Sequence, residues 1–305
     1  MSPAVSVIIP AYNRAHSIGQ ALDSVRAQGF TDFEVIVVDD GSTDGTADLC
    51  DARGEARLRT LRHPANRGAA AARNTGVRAA RGHYCAFLDS DDTWSPDKLE
   101  RQLVFMRERG GRCKASCTGY RLLDAHGARD YLPAPAERHR LLLGCDLSPG
   151  STLLAERSVF ARIGPFDEDL PRYEDWDWLL RYDRDYDLAV LAAPLATVHF
   201  SPRRSAVGIE VSAKGFLERY GGELAALGRL GRQARGLRWL EVARYYALER
   251  RPGKFAINLA RAYGAYPFYS PGSLLLLVDA WLGSGLESLA LRVRDRQRRA
   301  RGSQA

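Results

Sequence analysis

Asp89, Asp91 and Asp92 place three carboxylates within four positions, directly after the apolar residues Phe87 and Leu88. Anions packed this closely repel one another, so they must be solvated, neutralised by arginine, or used to hold a divalent cation. Hard cations such as Mg2+ and Mn2+ take oxygen ligands, and Mg2+ typically binds one or two carboxylates while substrate phosphates complete its shell. Asp89-Ser90-Asp91 at a strand end therefore reads as a metal-diphosphate site, although acid-rich loops also serve as turns. A second acidic pair, Asp39-Asp40, follows the apolar run Val35-Ile36-Val37-Val38. A third, Glu174-Asp175, opens a helical stretch, where the helix dipole stabilises carboxylates whether or not they do chemistry.

The elements that must position these acids are legible in the order of the chain. Val5-Ser6-Val7-Ile8-Ile9 is a β-branched run stopped by Pro10, which predicts a buried strand. Ile18, Ala21, Leu22 and Val25 follow with helical spacing, with Ser17 as the expected N-cap and Gly29 as the stop. Phe33 to Val38 is a second buried strand, and Leu58 to Leu61 a third. Two β-α-β steps with short turns predict parallel strands and right-handed crossovers. Ligands of such sheets bind beyond the carboxyl ends of the strands. The segment after Asn66 predicts an alanine-rich helix to about Ala80, and Tyr84 to Leu88 lead into the acid cluster. The ends at Pro10 to Asn13, at Asp39-Asp40 and at Asp89 to Asp92 are thus expected along one sheet edge.

Leu99, Leu103 and Met106 continue a helical stripe, and Lys114 to Thr118 reads as a strand. Asp124 to Leu143 is expected to be irregular, Ser151 to Ile163 to resume order, and Leu188 to Leu191 and Ala196 to Phe200 to be two strands. From Val211 the pattern is helical, with helices expected over Val211 to Leu227, Leu237 to Leu248, Phe255 to Tyr263 and Leu274 to Val293. The middle two resemble one tetratricopeptide pair, and one copy is not an array.

Charge is distributed unevenly along the chain. Residues 229–305 carry fifteen Arg and Lys against five Asp and Glu, a net of +10, while the whole chain is +7, leaving about −3 for residues 1–228. A basic tail points to an anionic partner. Its arginines alternate with Trp239, Tyr245, Tyr246, Phe255, Tyr263, Tyr266, Phe268, Tyr269 and Trp281, a pattern that suits either a membrane interface or the tail's own core. No nucleic-acid motif accompanies it, so nucleic acid is not the expected partner. The run Leu274 to Val278 ends at Asp279, short of the ~20 apolar residues that cross a bilayer. Met1-Ser2-Pro3 leads straight into a strand, so no signal peptide is expected. Five scattered cysteines, odd in number and without paired Cys-x2-Cys spacing, read as reduced thiols of a cytosolic protein rather than a zinc site.

Five ordered segments resemble the family 2 glycosyltransferases: Val5 to Arg14, Glu34 to Thr46, Asn66 to Gly76, Phe87 to Asp92 and Glu174 to Arg181. The resemblance covers roughly residues 4–200. It implies the GT-A fold: α/β, with a Rossmann-like, mostly parallel sheet flanked by helices, here followed by a C-terminal α-helical extension. The expected domains are 1–208, comprising a nucleotide-sugar half over 1–112 and an acceptor half over 113–208, and a helical tail over 209–305. The implied activity is metal-dependent inverting transfer of a sugar from a UDP- or dTDP-sugar to a hydroxyl of a lipid-linked or polysaccharide acceptor, at the inner face of the cell membrane.

In residue terms the resemblance places Pro10, Ala11, Tyr12, Arg14, Asp39, Arg73, Asp89 and Ser90 around the nucleotide. It makes Asp91, with Asp89, the ligand of Mg2+ or Mn2+, adds His199 as a further ligand, and brings Arg203 and Arg204 to the phosphates. Asp39 would accept the N–H that uracil and thymine each present. Asp175 matches the catalytic base, and Glu174 an acceptor contact or partner to it. Inversion requires such a base, because the acceptor hydroxyl attacks from the face opposite the leaving group and must lose its proton. Asp92 would orient its neighbours, Asp177 is a weaker base, and Trp176 and Trp178 either pack or form a sugar platform. A sugar-nucleotidyltransferase is the alternative enzyme, but Pro10 to Arg14 lacks the expected glycine-rich loop. A non-catalytic nucleotide-sugar-binding module is the alternative without chemistry. Oligomeric state is left open.

Overall fold

The computed structural model describes residues 2–124, 127–199 and 205–269. In chain order the first strands and helices are β1 (Val5–Ala11), α1 (Ile18–Arg26), β2 (Phe33–Asp39), α2 (Thr46–Asp51), β3 (Leu58–Arg62), α3 (Ala69–Ala79) and β4 (Tyr84–Phe87). All seven residues of β1 and of β2 are buried, which is why both read as mostly apolar runs; the two polar residues inside them pair with each other, the Ser6 hydroxyl donating to Glu34 at 2.7 Å. β3, β2, β1 and β4 are parallel neighbours in that order. Ala11 pairs with Asp39 and Ile8 with Phe87, so the three strand ends that carry Tyr12, Asp39 and Asp89 lie side by side.

The second part comprises β5 (Thr93–Trp94), α4 (Lys98–Arg109), β6 (Ala115–Asp124), β7 (Gly127–Tyr131), α5 (Arg138–Leu143), α6 (Pro149–Thr152), β8 (Leu154–Glu156), α7 (Arg157–Ile163), α8 (Glu174–Asp185) and β9 (Leu188–His199). β8 runs antiparallel to β4 and to β6, and the sheet is mixed from there on. Nine strands share this one sheet among the described residues.

Several local expectations are corrected. Leu188 to Phe200 is not two strands: β9 is continuous over Leu188–His199, and Pro194 sits opposite Gly119 where the register with β6 shifts. A proline removes a ladder donor and is accommodated at such a bulge. Gly119 is required there, since a Cβ would stand 2.8 Å from the Tyr131 carbonyl oxygen and 2.9 Å from that of Ala193. The stretch expected to be irregular holds β7 and α5, and β6 extends to Asp124. Ser17 occupies the N-cap position of α1, but its hydroxyl is buried without a hydrogen-bond partner and does not cap.

Two compact units emerge from the packing, the first running to Leu141 and from Cys145 to Phe200, the second holding the helices that follow. The core of the first joins β1 and β2 to Leu22, Leu99, Leu103 and Leu154. The second contains α9 (Ala206–Ala226), α10 (Arg229–Leu248) and α11 (Pro252–Ala265). These three begin earlier than the apolar periodicity suggests, α9 at the Ser205 cap, whose hydroxyl accepts from Gly208 N–H at 3.4 Å. Leu240, Ala243 and Ala262 form its core with Trp239, Phe255 and Tyr269 packed against them, and Tyr245, Tyr246 and Tyr266 are buried. Tyr263 and Phe268 are exposed, at 39% and 71%. Much of the tail's aromatic content is therefore core. The helix expected over Leu274 to Val293, with Trp281, lies outside the described residues. No helix among the described residues is long and apolar enough to cross a membrane.

Candidate active site

The turn after β1 and the turn after β2 are latched together by short polar side chains. Asn13 N–H donates to Ser42 Oγ at 2.9 Å, and Asn13 Oδ1 accepts from Thr43 N–H at 2.9 Å. Asp44 accepts from Ala15 N–H at 2.9 Å and from the Thr46 hydroxyl at 2.5 Å, and that hydroxyl accepts from Arg14 N–H at 2.8 Å. This double latch ties the turn that carries Tyr12, exposed at 43%, to the turn that follows Asp39 at the end of β2. Asp39 is buried; its Oδ2 accepts from Ser42 N–H at 3.2 Å, while Oδ1 has no hydrogen-bond partner. A buried carboxylate oxygen left unpaired is costly, so its retention points to a donor brought by a ligand. Asp40, its neighbour, is fully used within the fold: it accepts from Arg67 N–H at 3.0 Å, Gly68 N–H at 2.7 Å and His63 Nδ1 at 2.6 Å. Asp40 thereby fixes the start of α3.

From α3 the buried Arg73 reaches two acids at once. Its Nη1 donates to Glu174 Oε1 at 2.6 Å and its Nη2 to Asp89 Oδ1 at 2.7 Å. Burial works against the guanidinium charge, but Asp89, Glu174 and Asp175 outweigh it and raise its pKa further. The next residue, Asn74, donates to the Phe166 carbonyl and accepts from Phe166 N–H, both at 2.9 Å, pinning the loop that precedes α8. Glu174 and Asp175 open α8. Burial, then the Asp175 charge, raises the Glu174 pKa, and Arg73 opposes both. Asp175 is more accessible than Glu174 and accepts from its own neighbour, Trp176 N–H, at 2.7 Å. Asp177 is buried and bonded by Arg181 at 2.8 Å, which removes it as a base. Trp176 donates its indole N–H to the Leu141 carbonyl, and Trp178 stacks between Phe160 and Tyr182. Both tryptophans pack rather than present a platform.

The acid cluster divides its labour. Asp92 is buried, its Oδ1 accepting from His199 N–H at 2.8 Å and its Oδ2 from the Ser151 hydroxyl at 2.5 Å, so it orients β4, β9 and α6. Burial raises its pKa to about 6. Asp91 keeps a quarter of its side chain exposed and meets Arg14 at 3.5 Å, too far for a hydrogen bond. Burial, and then Asp89, raises its pKa, while Arg14 and His199 act the other way. The His199 ring nitrogen Nδ1 stands 3.9 Å from Asp92 Oδ1, and the carboxylate raises the imidazole pKa. Ser90 is buried beside them.

No group of three His, Cys, Asp or Glu among the described residues forms a ready metal cage. The donor set still fits a hard divalent cation: Asp91 offers a half-buried carboxylate beside the like charge of Asp89, and a diphosphate would complete the shell. Arg203 and Arg204 lie outside the described residues.

Asn13, Ser148 and Tyr173 adopt positive φ values of 52°, 47° and 67°. Each stands at a turn that delivers a part of this site, before α1, α6 and α8 respectively. Non-glycine residues held in that region are strained, and such strain collects where geometry matters more than stability. Ser151, Asn74 and Asp44 are not singled out by sequence reasoning, because single short polar residues carry no periodicity; Asn74 and Asp44 at least lie inside the five segments, whereas Ser151 lies in none of them.

The residues that meet here come from the carboxyl edge of the parallel strands and a carboxylate-bearing helix start, on a sheet and helix arrangement of the GT-A glycosyltransferase fold. The model of the family described as Glycosyl transferase family 2 matches residues 6–130. The amylovoran biosynthesis glycosyltransferase AmsB of Erwinia amylovora is 32% identical over 213 residues, which are 65% of this chain and 70% of AmsB. The chain belongs to glycosyl transferase family 2. It spans 50%, 61% and 59% of three further curated relatives, at 46%, 32% and 33% identity. Two solved structures share the fold at a TM-score of 0.58. S. aureus TarS 1–349 in complex with UDP is 22% identical and aligns over 88% of this chain and 91% of its own. The mannosyltransferase PcManGT from Pyrobaculum calidifontis, in complex with GDP-Man and Mn2+, is 19% identical over 97% and 83%.

Proposed function

We propose that this chain transfers a sugar from a nucleoside-diphosphate sugar, a UDP- or dTDP-sugar, to a hydroxyl of a lipid-linked or polysaccharide acceptor, with inversion at the anomeric carbon. One observation carries the reading: Arg73 bridges Asp89 and Glu174, at 2.7 and 2.6 Å, and so joins the diphosphate-side acids to the start of the base-bearing helix in one site. The nucleotide ligands in the TarS and PcManGT structures support the donor class.

Asp39 Oδ1 accepts the N–H of the base, and Pro10, Ala11 and Tyr12 flank the ring. Asp91 and Asp89, with His199 alongside, would hold Mg2+ or Mn2+, which would supply positive charge for the departing diphosphate. Arg14, 3.5 Å from Asp91, adds a cation on the same side. Asp175 takes the proton of the acceptor hydroxyl as its oxygen bonds to the anomeric carbon and the bond from that carbon to the diphosphate oxygen breaks. Its carboxylate stands in the first turn of α8. Glu174 is held by Arg73 and sets the direction of that turn. The +10 charge of residues 229–305 supports peripheral contact with an anionic membrane face, where a lipid-linked acceptor is presented.

Asp175→Asn tests the assignment. Transfer to acceptor is expected to fall at least ~100-fold, the scale of general base catalysis, while the melting shift produced by a nucleoside diphosphate with Mn2+ is unchanged. Turnover equal to wild type removes Asp175 from the mechanism.

A further inference from the structure

The four-residue helix α6 lies directly beneath the acid cluster, and none of the five recognisable segments contains it. Its Ser151 is fully buried, and the hydroxyl serves two ends of the cluster: it accepts from Asp89 N–H at 3.1 Å and donates to Asp92 Oδ2 at 2.5 Å. Gly150 brings bare backbone against Asp89, where a Cβ would stand 2.5 Å from Oδ2. The turn is in its turn held from the opposite side. The Trp94 indole N–H donates to the Ser151 carbonyl at 2.7 Å, and Gln102 Nε2 donates to the Thr152 carbonyl at 3.0 Å and to the Ser116 carbonyl at 2.8 Å. Lys98, wholly buried with its ammonium 4.1 Å from the centre of the Trp94 ring, donates to Gln102 Oε1 at 2.7 Å.

We infer that Ser151 is a positioning residue for the metal-diphosphate site: its hydroxyl sets the Asp89 backbone against the Asp92 carboxylate, and the Trp94–Gln102 pair locks it in place. The inference rests on the proposed role of Asp89 and Asp91. Asp91 lies between the two groups that Ser151 holds, so its direction follows from theirs. A residue that touches no ligand itself but orients the groups that do typically changes metal affinity ~10–100-fold when lost. The network also gives Lys98, Trp94 and Gln102 a shared purpose that packing alone does not require, because apolar residues would fill the same space without buried polar groups to satisfy.

Titration calorimetry of UDP, dTDP and GDP into wild type, Ser151→Ala and Trp94→Phe, each with and without Mn2+, decides it. In Ser151→Ala the diphosphate that binds wild type is expected to lose ~10–100-fold in affinity when Mn2+ is present. Without the metal, its affinity should stay within about twofold, because the Asp39 end is untouched. A purely structural role would instead lower the melting temperature and leave the Mn2+-dependent gain intact, and that result overturns the inference while the proposed function stands. If no diphosphate binds wild type more tightly with Mn2+, both fall. Should Ser151→Ala not fold, Trp94→Phe decides: it keeps an aromatic ring but removes the indole N–H to Ser151, and an unchanged Mn2+-dependent gain counts against the role.

Discussion

Arg73 on α3 and Glu174 at the start of α8 meet at 2.6 Å, 101 residues apart in sequence and both buried. The other arm of the same guanidinium holds Asp89, so a single side chain couples the two groups of acids on which the proposed chemistry depends.

Arg73→Met would leave the buried Glu174 without its cation and Asp89 without its hydrogen bond. Breaking a buried pair by removing one partner costs about 3–5 kcal/mol. Chemical denaturation should show a loss of that order, and Arg73→Lys, which keeps the charge but cannot fork, should recover part of it. A variant as stable as wild type would show that the bridge carries no weight.

Asp39→Asn keeps the size of the side chain but replaces an acceptor with a donor at one oxygen. Since Oδ1 has no partner in the protein, the folded state should lose little stability. Nucleoside binding should weaken by about 1.5–3 kcal/mol, the scale of a hydrogen bond to a charged group. Calorimetry with uridine and thymidine reads this directly, and equal affinity in the variant would displace Asp39 from the base.

Burial lowers the Lys98 pKa to about 7, against 10.5 for a free side chain. Between these values the unfolded chain binds the proton more fully, so this lysine makes stability rise with pH from about 7 towards 10.5 and stay level below 7. The slope contributed is at most about 1.4 kcal/mol per pH unit. Denaturation of wild type and Lys98→Met across pH 6–10 should show wild type gaining stability relative to the variant as pH rises above 7. A constant difference would mean that the ammonium is not desolvated.

In the helical unit, Glu210 is buried and bonded by the Tyr246 hydroxyl at 2.5 Å and Lys214 at 2.9 Å, with Arg261 at 3.4 Å. Burial opposes its charge, but Tyr246, Lys214 and Lys254 outweigh it and lower its pKa to about 2. Its stabilisation is therefore present above pH 4.5 and is lost as pH falls towards 2. Glu210→Gln should destabilise the protein at pH 7 and match wild type near pH 2, measured by circular dichroism during denaturation.

The sequence by itself determined the parallel nucleotide half and the identity of its acids. Strands buried on both faces are mostly apolar runs, and the carboxylates that follow them stand out against that background, so β1, β2, β4 and their trailing residues are readable locally. The same local reading failed at β9, which Pro194 splits in sequence and a register shift opposite Gly119 makes whole. It failed again at Ser17, whose cap-like position conceals a hydroxyl that bonds nothing. It also gave the tail's aromatics no address, whereas Tyr245, Tyr246 and Tyr266 prove to be core. Only the tertiary structure decided which acids are spent on the fold. Asp39 and Asp40 are adjacent and chemically alike, yet one keeps a free buried oxygen and the other is saturated by His63, Arg67 and Gly68. Asp91 and Asp92 divide in the same way. Hydrogen-bond partners come from residues tens of positions away, and a sequence lists side chains without their partners; satisfaction of buried charge is a property of the packed chain.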